Sequence, residues 1–245
     1  MSKIPYTKPW ISYLDQLQKV KKRGLIIPDE EEFLRLIEIK SYYRLSGYWY
    51  PLLEDKRRHI FKKGANFETA MQIYQFDRDL RQLVINEMEK IEVAVRAKMI
   101  YILSNNFGPF WYTEPKNFSN AKLHRDTISK IEDEFRRSDA QFIRAYKKKY
   151  SDPLPPSWTA FEIVSFGSLS KLYSNFRSGK SKREVAHWFG LDDRTFSSWL
   201  HSLVYVRNVC AHHARLWNRV MRIQPNYPVK PLHQWLDNTK IANNR

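Results

Sequence analysis

FETAMQIYQFDRDLRQLVINEMEKIEVAVRAKMIYILSNNFG, Phe67 to Gly108, is the stretch that decides the fold class. Met71, Tyr74, Leu80, Leu83, Val84, Met88, Ile91, Val95 and Met99 recur at a roughly helical period, and no proline interrupts them. The spacing predicts one long helix, stopped by Gly108-Pro109. Within it Glu92 and Arg96 form an i,i+4 pair in the favourable order. Spacing alone reads them as an exposed pair worth a few tenths of a kcal/mol. The alternative is a supporting carboxylate and arginine that face a site elsewhere.

Towards the N-terminus the pattern stays helical. Pro9 to Lys22 carries Trp10, Tyr13, Leu14, Leu17 and Val20 at helical spacing, closed by Lys21-Lys22-Arg23-Gly24. Pro28-Asp29 opens a second helix, with three glutamates in its first turn where the helix dipole favours them. Next comes SYYRLSGYWYPLLED, Ser41 to Asp55, dense in aromatics and containing Arg44. It reads first as a helical corner packed on the core, and second as an aromatic and arginine surface that stacks bases. RRHIFKKGAN, Arg57 to Asn66, is a basic loop or small hairpin.

Towards the C-terminus, Ala121 to Lys149 reads as one or two charged helices. SDPLPPS, Ser151 to Ser157, is the best candidate for an internal break, although it is short for a linker. Short helices are expected around Ser168–Phe176 and Lys180–Phe189. Then WLHSLVYVRNVCAHHARLWNRVMR, Trp199 to Arg222, predicts a single helix. Its apolar stripe is Trp199, Leu203, Val206, Cys210, Trp217 and Met221; His201, Tyr205, Asn208, His212, Arg215 and Arg219 gather opposite. A proline-containing tail occupies 223–245. No alternating strand pattern stands out beyond the Arg57–Phe61 region. The expectation is an all-α helical bundle with at most a minor hairpin, in one domain over residues 1–245.

Composition narrows the function. The net charge of +16 attracts polyanions by counterion release, and nucleic acid is the first candidate. The seven glycines form neither GxGxxG nor a Walker loop. A single cysteine, Cys210, excludes an intramolecular disulfide and a cysteine-based zinc site. The longest uncharged run, Met99 to Thr113, is too short to span a bilayer, and no signal peptide is read. The expected location is the cytoplasm, with no membrane partner.

The chemistry sits in Arg207, Asn208, His212 and His213. Arginine holds a phosphate bidentately and stabilises charge growing on it. Histidine exchanges protons near neutral pH. Together they suit RNA cleavage by the 2′-hydroxyl, with a 2′,3′-cyclic phosphate and a 5′-hydroxyl as products. Arg207 and His212 diverge by roughly 140° on an ideal helix, so they converge best if a second copy of the helix faces the first. Adjacent histidines diverge by about 100°, and no HExxH pattern is present, so no metal and no cofactor is expected. From the residues alone, a merely structural basic helix face stays open beside the catalytic reading.

RNVCAH, Arg207 to His212, resembles the R-x4-6-H signature of the HEPN superfamily. The longer RNVCAHHARLWNR resembles the abortive-infection (Abi) family of bacterial phage-defence proteins, the AbiD/AbiF-like group. The likeness extends to YYRLSGYWYPL at Tyr42, YQFDRDLRQL at Tyr74, IEVAVRAK at Ile91 and SFGSLSKLY at Ser165. The resemblance implies a HEPN-type core and a metal-independent endoribonuclease toxin with Arg207 and His212 as catalytic residues. It implies a homodimer, because only one motif is present, and an RNA or protein antitoxin. Asn208, His213, Glu92 and Arg96 become supporting residues; Arg215, Asn218, Arg219 and Arg44 become RNA contacts. The alternative is a non-catalytic RNA-binding HEPN module that complexes a structured RNA or a protein partner.

Overall fold

The computed structural model describes residues 5–229 and 231–232. The remainder of the tail expected over 223–245 lies outside the described residues. The fold is all-α with one small hairpin. The chain divides into two compact units, Met1–Gln82 and Leu83–Arg245. The boundary falls inside the long helix, where the apolar period runs on unbroken. The proline stretch 151–157, the break favoured by composition, lies within the second unit.

The first unit starts with α1 (Tyr13–Lys22), α2 (Glu30–Lys40) and α3 (Tyr42–Trp49). Helix α1 begins later than the spacing from Pro9 suggests. Ser12 and Asp15 form a capping box that fixes its first turn, and Trp10 stays 87% exposed. Asp29 caps α2 by accepting from the Glu32 N–H at 2.9 Å. Ser41 closes α2 and caps α3, at a positive φ of 62°. The hairpin of β1 (Leu53–Asp55) and β2 (Ile60–Phe61) is antiparallel, with Leu53 opposite Phe61 and Asp55 opposite Ile60. Leu17, Val20, Phe33, Ile37, Leu45, Trp49 and Phe67 make the core. The aromatic corner is therefore mostly packing, and Tyr43 alone of α3 is strongly exposed. Helix α4 (Phe67–Phe107) is the long helix the period predicts. Near the end of this unit its Asp77 is fully buried, accepting from Tyr48 Oη at 2.7 Å and paired with Arg81. A buried carboxylate needs such partners, since an unpaired charge in the interior costs several kcal/mol.

The second unit holds the rest of α4, then α5 (Ala121–Arg137), α6 (Gln141–Lys149), α7 (Ser157–Ala160), α8 (Phe166–Asn175), α9 (Lys180–Trp188) and α10 (Asp193–Ala211). Gly108, at φ +82°, ends α4 and donates its N–H to the Ser104 carbonyl. Trp111 and Tyr112 then plunge into the core, where Met99, Leu103, Phe161, Leu169, Tyr173 and Leu200 meet them. The proline stretch is a turn tied to this core. Tyr112 Oη donates to the Pro155 carbonyl at 2.5 Å and Tyr146 Oη to that of Leu154 at 3.2 Å. Asp192 caps α10 with bonds from the Arg194 and Thr195 N–H groups. Among the described residues no helix is long and apolar enough to cross a membrane.

Candidate functional site

Helix α10 does not continue to Arg222, as its apolar period suggests; it stops at Ala211. The His213 N–H bonds the Cys210 carbonyl and the Ala214 N–H bonds the Val209 carbonyl, each at 3.0 Å. This pair is a Schellman closure, with His212 as the cap and His213 in the left-handed conformation at φ +54°. Glycine usually fills that position; here a histidine does, so no glycine in the sequence announces the stop. The chain then returns along α10. Trp199 Nε1 donates to the Asn226 carbonyl at 2.9 Å, and the Asn226 N–H donates to Ser198 Oγ at 2.5 Å. In one continuous helix Arg219 would lie about 21 Å beyond Tyr205 along the axis. Instead its Nε is 3.1 Å from Tyr205 Oη, and its guanidinium lies over that ring. Arg219 Nη1 also donates to the Arg215 carbonyl at 3.3 Å.

Burial also shifts the core face of α10. Phe196, Leu200, Val209 and Cys210 are buried, whereas Trp199, Leu203 and Val206 are only partly covered. Arg207 lies seven residues after Leu200, within about 20° of the same direction. It therefore points inward at the end of the core stripe, where it meets Glu92 of α4. Arg207 Nε is 3.7 Å from Glu92 Oε2. Arg96 Nη2 donates to Glu92 Oε1 at 3.2 Å and to the Val164 carbonyl at 3.3 Å. The Glu92 and Arg96 side chains are 16% and 17% exposed, so they are no solvated surface pair; the Arg207 side chain is 40% exposed. One carboxylate is thus held between two guanidinium groups. The inner one is anchored, and the outer one keeps much of its surface open to an anion. Asn208 is exposed, and its Oδ1 accepts a long 3.5 Å bond from Arg207 Nη1.

His212 and His213 are both exposed at the helix end. Arg207 and His212 leave the backbone about 7.5 Å apart along the axis. The structure thus brings together Glu92, Arg96, Arg207 and Asn208, with His212 and His213 on the rim next in sequence. Arg215 and Arg219 sit on the returning segment, as does Asn218, which is exposed at φ +50°. Arg44 belongs to the first unit, where its guanidinium lies 6.0 Å from the Tyr74 ring centre. Tyr205 was legible only as one member of the polar face. Its hold on Arg219 depends on the chain reversal, which no local spacing encodes. Among the described residues no three His, Cys, Asp or Glu side chains cluster as metal ligands.

No curated protein and no solved structure matches this chain. A family model described as Abi-like protein matches residues 35–218. That span is more than half of the chain. It holds α3, the whole of α4 and the Glu92–Arg207 cluster, together with His212. Over that span the chain belongs to the Abi-like protein family.

Proposed function

We propose that the protein is an endoribonuclease of HEPN type that acts as a toxin in abortive-infection phage defence. The observation that carries this reading is the Glu92-anchored Arg207 beside the exposed His212. In the proposed reaction His212 takes the proton from a ribose 2′-hydroxyl. The 2′-oxygen attacks the adjacent phosphorus, the P–O5′ bond breaks, and the departing 5′-oxygen is protonated. Arg207 holds the phosphate and stabilises the charge that grows on its oxygens. The products are a 2′,3′-cyclic phosphate and a 5′-hydroxyl, and the step itself calls for no metal.

Arg207 and His212 point roughly 140° apart in one copy, so the proposed site is completed by a second copy, as a homodimer. Asn208 and His213 would orient the phosphate, and Arg215, Asn218 and Arg219 would follow the strand. An RNA or protein antitoxin would hold the toxin in check. Membership in the Abi-like family supports the defence role. The helix-end histidines and the strong positive charge support RNA as the substrate.

The test is incubation of pure protein with total RNA in EDTA, followed by analysis of the fragment ends. Cyclic phosphate ends from wild type and none from His212→Ala are expected. Because His212 is exposed, that variant keeps its thermal midpoint. Equal cleavage by both proteins would remove His212 from the reaction. Salt-dependent RNA binding without cleavage would favour the non-catalytic RNA-binding alternative.

A further inference from the structure

The second unit holds a cavity of about 270 Å³ that the foregoing does not use. It lies where the end of α4 faces the loop that enters α9. Lys116, Arg177 and Lys180 supply its polar wall, and Phe107 and Phe176 its apolar wall. No Asp or Glu lines it.

Three cations around one concavity repel one another, and no carboxylate inside the wall offsets them. Such a cleft focuses positive potential and favours an anion. The nearest acids stand outside the lining. Glu114 is 3.7 Å from Lys116 Nζ, in an exposed pair that contributes little, and Asp193 accepts from Ser178 Oγ. Arg177 is held in place: its Nε donates to the Lys116 carbonyl at 2.7 Å. Beneath the wall the buried Lys182 is occupied by the carbonyls of Ser174 and Phe176. The remaining cations are therefore the ones available to a ligand.

The apolar wall tells the anion's chemistry. Phe107 is 44% exposed although it caps a core helix, and its ring is braced edge-on against Phe176 at 5.3 Å. A braced, open aromatic ring beside a cluster of cations suits a base stacked next to its own phosphate. A bare inorganic anion would have no use for it.

We propose that this cavity takes a nucleotide phosphate, with Lys116, Arg177 and Lys180 on the phosphate and Phe107 against the base. The site is separate from Arg207 and His212 and does not depend on their chemistry. The phosphate can come from a single strand or from a free nucleotide, and the test distinguishes the two.

The probe is a fluorescent 2′-O-methyl oligonucleotide, which has no free 2′-hydroxyl, so binding is read without cleavage. The double variant Lys116→Ala/Lys180→Ala should weaken binding about tenfold. It should also flatten the salt dependence by about 1.4, at about 0.7 per phosphate contact on a single strand. Lys147→Ala/Lys148→Ala removes the same charge from the end of α6 and should change binding less than about twofold. Removing Lys180 takes a cation from the first turn of α9, which the helix dipole does not penalise, so the thermal midpoint should hold.

Adenosine monophosphate that displaces the oligonucleotide from wild type but not from the double variant identifies a free nucleotide as the source. Failure of the monophosphate to compete, with the tenfold loss intact, identifies the strand. Phe107→Ala should weaken either ligand while leaving inorganic phosphate unaffected. Equal losses from the two double variants would overturn the proposal, as would inorganic phosphate competing as well as the nucleotide.

Discussion

Replacing Glu92 by Gln tests how the site is held. Glu92 and Arg96 are 16% and 17% exposed and 3.2 Å apart. Breaking a fully buried pair costs about 3–5 kcal/mol, and losing an exposed pair costs less than about 1 kcal/mol. At this burial about 2 kcal/mol is expected, which is about 4–8 °C in thermal midpoint for a unit of this size. The loss is not softened by another acceptor, because Arg96 Nε is already buried without a hydrogen bond. Arg207, at 3.7 Å and 40% exposure, contributes much less. Arg207→Ala should therefore leave the midpoint almost unchanged.

Activity should move the other way round. In the nuclease proposed here, Glu92→Gln keeps the Arg207 charge but frees it from its anchor. The expected result is a kcat about tenfold lower, about 1.4 kcal/mol in the barrier. KM should stay level or fall, because the protein gains one positive charge against a polyanion. The assay pairs thermal unfolding with single-substrate RNA kinetics on both variants. Unchanged kcat in Glu92→Gln would refute the positioning role. A midpoint loss in Arg207→Ala equal to that of Glu92→Gln would refute the division of labour between the two arginines.

Two further outcomes follow from the backbone and the buried hydroxyls. His213 occupies a left-handed position at φ +54°, which costs a non-glycine residue about 1 kcal/mol, so His213→Gly should raise the thermal midpoint by about 2–4 °C and His213→Val should lower it; equal midpoints for all three would contradict the Schellman closure. In the first unit, burial raises the phenol pKa of Tyr42, and burial with the Asp77 carboxylate raises that of Tyr48 to about 12. The unfolded chain loses these protons near pH 10 while the folded unit keeps them. Stability is therefore full below pH 10 and falls between pH 10 and 12. Denaturant midpoints that stay constant from pH 9 to 11.5 would show the phenols to be unperturbed, and Tyr48→Phe should blunt the fall.

Much of the architecture could be read along the chain. An unbroken apolar period over forty residues leaves a helix as the only outcome, and Asp29, Gly108 and Asp192 mark their termini by capping chemistry. The motif Arg207–His212 and its family likeness were equally legible, because side-chain identity and spacing are local facts. Where reading failed, the deciding contact was not local. The apolar period of Trp199–Arg222 continues past the true end of α10, since Leu216 and Trp217 pack from a returning segment and not from a further helical turn. Nothing in the composition marks the division at Gln82–Leu83, since α4 is equally good helix on both sides of it.

What the sequence by itself determined, then, is a helical protein with a strong positive charge, an arginine–histidine motif near its end and membership in the Abi-like family. Only the tertiary structure decided that Arg207 rests on Glu92, and that Arg96 holds the far side of the same carboxylate. More than a hundred residues separate Glu92 from Arg207, and helical spacing carries phase along one element but no information about which element it will face. That choice belongs to the core, where the packing of α10 brings its inward arginine to the one carboxylate within reach on α4.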